Sequence, residues 1–190
     1  LAYTEQSLVA VGTRDDGTGL RMTVWKFDPD HCETPLPGWP KTIADWTDDP
    51  ALAATPSRAT AVALDAHGNI ALGANLIAGD KPRRYTALLT PDGARLWERP
   101  GLVGEEVSSV VVTENPPDIV IAAGWKIISD APLSTDAMIW RHLPDNTQWA
   151  TTLKAPLTAD EPPDLENKRS ERIRAALLQP DTGLLVVVGE

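Results

Sequence analysis

Apolar and polar residues alternate along much of this chain, in short runs separated by Gly, Pro, Asn and Asp. The segment 58–73 opens with an alternating run, turns at His67-Gly68-Asn69 and continues as a second apolar run. Segments 106–113, 115–118 and 119–124 repeat that order, and 174–178, 180–183 and 184–189 give it a third time. A period of two bounded by turn-forming residues predicts β-hairpins. Near the start, Leu8 to Gly12 reads as the second strand of such a hairpin, with its partner mostly missing.

A second hairpin follows in three places. Arg21 to Phe27 leads through Pro29-Asp30 to Trp39, Tyr85 to Leu89 through Pro91-Asp92-Gly93 to Trp97, and Ala137 to Arg141 through Pro144-Asp145 to Trp149. Pro presets φ for the first turn position and Gly accepts positive φ at the last. The repeating unit is therefore four strands, A to D, in approximate units 1–44, 58–100, 106–153 and 172–190. The chain reads B-C-D, then A-B-C-D twice, then A-B, about three and a half units. Helical spacing is nearest at 165–178, where a charged stretch interrupts it. The pattern predicts an all-β fold: a β-propeller segment of four-stranded antiparallel blades, part of a larger ring. Radial stacking of such meanders covers strand edges that would otherwise stay exposed. A tandem sandwich is the alternative.

Asp136-Ala-Met-Ile-Trp140, with Leu143-Pro144-Asp145 and Trp149, resembles the bacterial secreted β-propeller repeat (SBBP type). That family pairs an Asp-aromatic-aliphatic strand with a Pro-Ser/Asp-Gly turn and a Trp. Asp65-Ala-His-Gly68-Asn69-Ile-Ala-Leu-Gly73 is similar to its Asp-x-x-Gly-Asn hairpin. The likeness covers mainly residues 58–153. It departs at Arg84, which precedes Tyr85 where an Asp belongs, and at Pro117-Asp118, which replaces Gly-Asn. The resemblance implies a propeller in an extracytoplasmic setting (secreted, periplasmic or cell surface). The family has no single activity and no shared catalytic residues, so none is carried over.

Charge narrows the partners. With 27 acidic against 17 basic residues the net charge is −10, which repels phosphate backbones and argues against nucleic acid. The longest aliphatic run, Leu184 to Val188, is far short of the roughly 20 residues of a membrane helix. The single cysteine, Cys32, permits no intrachain disulfide and no cysteine-built zinc site. The histidines show no ligand spacing, so neither a metal nor a cofactor is expected. Weak Ca²⁺ binding at Asp15 and Asp16 competes there with ordinary turn formation. Gly-x-Ser-x-Gly, His-Glu-x-x-His and a phosphate-cradling loop are all missing from the sequence, so no catalytic residue is assigned.

Propeller geometry places the B–C and D–A connections on one face, here 13–20, 44–58, 78–84, 125–136 and 154–171. Long loops on a rigid scaffold are where binding evolves. The candidate ligand residues are Trp46, Asp48, Asp49, Trp125 and Lys126, beside Lys81, Arg83, Arg84, Asp130, Asp160, Glu161 and Asp164. Trp46 and Trp125 serve either as stacking platforms or as covers for sheet ends. Trp25 and Trp140 on strand C, and Trp39, Trp97 and Trp149 on strand D, recur in register, which predicts burial between blades.

The expected function is a non-enzymatic interaction module whose long-loop face binds a protein or a glycan. A carboxylate-based hydrolase or lyase acting in the propeller channel is the alternative, and a purely structural array in an envelope or extracellular protein is a second. Strand A offers the channel Thr60, Val62, Leu64, Ser108, Val110, Val112, Ala176 and Leu178, which are poor catalytic groups. Three and a half units do not close, so the edge strands are expected to pair with missing blades or a second chain.

Overall fold

The computed structural model describes residues 1–4, 7–113, 119–130, 133–143, 145, 147–153, 170–179 and 184–190, with Ala78, Asp130 and Leu133 described by backbone alone. The turns at 115–118 and 180–183, the Pro144 half of the Pro-Asp turn, and Asp160, Glu161 and Asp164 lie outside the described residues.

The alternating runs form fourteen antiparallel strands among the described residues. The first sheet holds β1 (Ala2–Thr4), β2 (Ser7–Asp15), β3 (Leu20–Phe27) and β4 (Lys41–Thr42), in chain order. The second holds β5 (Ser57–Leu64), β6 (Ile70–Ala78), β7 (Lys81–Leu89) and β8 (Arg95–Val103). The third holds β9 (Glu105–Val112), β10 (Val120–Asp130), β11 (Leu133–His142) and β12 (Gln148–Leu153), and β13 (Ile173–Leu178) pairs with β14 (Leu185–Gly189) in a fourth. The fold is all-β and its unit is a four-stranded meander.

Three sequence expectations need correction. The first sheet does have its first strand, because β1 pairs with β2 from Ala2↔Val9 to Thr4↔Ser7; three residues are too few to show a period. Segments 78–84 and 125–136, expected as connections, are mostly strand. Strands β6 and β7 run to Ala78 and from Lys81 around a two-residue turn with Gly79 at φ +77°. Strands β10 and β11 likewise pair out to Asp130↔Leu133. Backbone pairing continues there through mixed polar and apolar residues that show no simple alternation. The third correction is a helix, α1 (Pro50–Ala54), inside the expected loop 44–58. Asp49 caps it by accepting from the Ala51 and Leu52 N–H groups, and Pro50 occupies the first helical position, where its missing N–H costs nothing.

The Asp-x-x-Gly-Asn hairpin shows its physical cause. Asp65 is buried, and its carboxylate accepts from the His67 and Asn69 N–H groups at 2.8 Å each and from the Asn69 amide at 2.7 Å. Gly68 takes φ +77°.

The sheets stack face to face in chain order. Met22, Val24, Ile70, Leu72, Tyr85 and Leu89 fill the space between the first and second sheets. Val107, Val110, Met138 and Trp140 fill that between the second and third, and Ala123, Ile139 and Ile173 that between the third and fourth. The middle strands of the second and third sheets are thus largely buried on both faces. Gly73 marks a close approach, since a Cβ there would meet Val110 and Val107 side chains at 3.0 and 3.2 Å. Trp140 is 1% exposed and Trp97 9%, in line with the register argument, but Trp149 is 54% exposed. Trp149 stands on β12, the outer strand of its sheet, and the two-stranded fourth sheet packs over β9 and β10 instead.

Candidate functional site

Three successive first strands share an irregularity. In β5, Ala59 pairs with Ala74 and Ala61 with Gly73, leaving Thr60 without a cross-strand partner. In β9, Val107 pairs with Gly124 and Ser109 with Ala123, leaving Ser108. In β13, Ile173 pairs with Gly189 and Ala175 with Val188, leaving Arg174. Each is a β-bulge, which bends the strand and re-aims the extra residue. Gly124 makes room for the second bulge, since a Cβ there would lie 2.0 Å from the Glu106 carbonyl oxygen.

The three bulged residues line one open cleft of about 670 Å³. It lies at the end of the sheets that carries the Gly79-Asp80 turn, and its walls include Arg58, Asn75, Asp80, Lys81, Glu106 and Trp125. Asn75 ties the second sheet to the third beneath it: its side-chain oxygen accepts from the Val107 N–H at 2.9 Å and its amide donates to the Val107 carbonyl at 3.3 Å.

Trp125 and Glu106 are cross-strand neighbours, and the Trp125 indole donates to the Glu106 carboxylate. Burial pushes that carboxyl above its usual range, while the indole bond and the nearby Arg172 and Arg174 pull it back only in part. The guanidiniums of Arg172 and Arg174 lie 5.4 and 5.7 Å from the Trp125 ring. Arg174 also pairs with Glu190.

Of the sequence candidates, Trp125 and Lys81 line this cleft, each from a strand rather than a loop. Lys126 is the neighbour of Trp125 on β10, where it stands opposite Asp136 and Glu105. Trp46 is not a stacking platform: it is 5% exposed and its indole donates to the Tyr85 hydroxyl at 2.9 Å inside the first interface. Asp48 pairs with Arg95 and Asp49 caps α1, both away from the cleft. The Asp15 and Asp16 carboxylates accept from the Gly17 and Thr18 N–H groups at 2.9 and 2.8 Å, and Asp16 also faces Arg21 at 3.5 Å. Both are occupied in closing their own turn. Among the described residues no three His, Cys, Asp or Glu side chains gather as metal ligands, and no helix is long and apolar enough to cross a membrane.

Arg84, expected in a loop, is instead 1% exposed between the second and third sheets. It pairs with buried Glu105 at 3.3 Å, lies 4.6 Å from the Trp140 ring, and reaches Thr86 at 3.2 Å and His142 Nε2 at 3.3 Å. Arginine has only donors, so Nε2 accepts and the neutral ring keeps its proton on Nδ1, which has no partner among the described residues. Burial first, then Arg84 and Arg99, lower the His142 pKa to about 3. This group is sealed from solvent and holds the sheets together.

The alternation places Thr60 and Ser108 on an open channel, but Arg58, Glu106 and Arg174 escaped sequence reading because a bulge inserts one residue into the period of two. Only a break of phase at corresponding places in three repeats would have marked them. Neither a protein-family model nor a curated protein matches this chain in sequence.

Proposed function

We propose that the protein is a non-enzymatic β-propeller binding module, with the four sheets as successive blades and the bulge-lined cleft as its ligand site. Support for the propeller comes from the first strands: β1 packs on β5, β5 on β9 and β9 on β13, a single file of the kind that surrounds an axis. The observation that carries the binding reading is the cleft itself, to which three successive sheets contribute the same bulged position. Repetition of an irregular feature on one open concavity fits a ligand surface better than packing. The ligand class is a glycan or a protein.

The test is a binding screen of soluble oligosaccharides and peptides against the wild type and Trp125→Ala. Ligands held by the wild type and lost by the variant are the expected result. Binding that Trp125→Ala leaves untouched would move the site elsewhere. Glu106 is the one observation that favours the runner-up, because a carboxyl raised by burial in a cleft is suited to general acid work. Release of new sugar ends on incubation, abolished by Glu106→Gln, would replace the binding module with a hydrolase or lyase.

A further inference from the structure

We propose that the ligand of this cleft is a carboxylated oligosaccharide, a polyuronate in chemical class; this rests on the binding reading above. Arg58 is exposed and makes no ion pair among the described residues, and it faces the same cleft as Arg174. Two guanidiniums at one concavity stand out on a molecule of net charge −10. Planar guanidinium forks match carboxylates in two-point hydrogen bonds. Yet Asp80 and Glu106 line the cleft as well, and a ligand offering only negative charge would be repelled by them. Carboxylates bind well when the ligand brings O–H donors. A uronate carries both: an acid group for Arg58 and Arg174, and ring hydroxyls for Asp80, Glu106 and the exposed Thr60.

An acidic peptide fits less well. A peptide laid along a first strand as an added β-strand needs an unbroken row of backbone donors and acceptors. The bulges interrupt that row at cleft level in β5, β9 and β13. Sugar rings make no such demand. Trp125 supplies apolar surface at the same place, and Arg172 and Arg174 lie beside its ring.

Calorimetric titration with oligogalacturonate, its methyl ester and polyglutamate separates the readings. Oligogalacturonate binds, more weakly as salt rises, and the uncharged ester binds at least about tenfold more weakly, as loss of a charge-assisted pair demands. Arg58→Gln, at an exposed position that does not threaten folding, weakens the acid by a similar factor and leaves the ester unchanged. Arg141→Gln, an exposed arginine on β11 outside the cleft lining, changes neither. If the ester, a neutral oligosaccharide or polyglutamate binds as tightly and Trp125→Ala abolishes it, the cleft reading stands and the uronate inference falls. If no sugar or peptide binds, both fall.

Discussion

His142 shows how much one residue commits. Its ring is 1% exposed, and burial with two nearby arginines lowers its pKa from 6.5 to about 3. Above about pH 6.5 it is neutral whether the chain is folded or not. Below that, the unfolded chain takes up a proton that the folded one refuses, so stability falls by on the order of 1.4 kcal/mol per pH unit down to about pH 3. Melting temperatures at about pH 7 and about pH 5 should drop more steeply for the wild type than for His142→Gln, whose amide does not titrate; parallel drops would refute the assignment. Its neighbour Arg84 is expected to be as sensitive. Arg84→Met leaves Glu105 charged, buried and unpaired, which should cost about 3–5 kcal/mol in chemical denaturation. Neither residue was legible as core in the sequence. A charged side chain reads as surface unless its partner is known, and Glu105 stands twenty-one positions away in the chain.

At the scale of the element, the strands were readable wherever one face is apolar, and the Asp65 turn was readable because its capping carboxylate and glycine are fixed by geometry. What escaped were features whose cause lies outside the element. The tips of β6, β7, β10 and β11 follow from pairing alone, and α1 from a cap and one buried leucine. The tryptophans make the same point. Trp97 and Trp149 follow the same Pro-Asp turn in successive repeats, but only Trp97 has a neighbouring sheet over it. Trp97→Ala should cost about 3–5 kcal/mol, and Trp149→Ala under about 1 kcal/mol. Equal losses in urea titrations of the two variants would mean that their surroundings are alike after all.

For the molecule as a whole, the cores between sheets carry stability and the cleft end carries the proposed binding site, and the bulges are where the two meet. In each bulged strand the residues on either side of the extra one already face adjacent partners: Ala59 and Ala61 stand against Ala74 and Gly73. Removing Thr60 would therefore close the ladder without sliding either half of β5, whereas removing Val62 from the regular part would turn every later side chain to the wrong face. Deletion of Thr60 is expected to leave a folded protein with nearly unchanged melting temperature and a reshaped cleft; deletion of Val62 is expected to unfold it. Circular dichroism on the two deletions decides the matter. The consequence is historical as well as physical. Insertions and deletions usually ruin a strand, but here three positions can gain or lose a residue while the sheets keep their frame. A lineage carrying this scaffold can reshape the cleft one codon at a time, and leave the part that folds untouched.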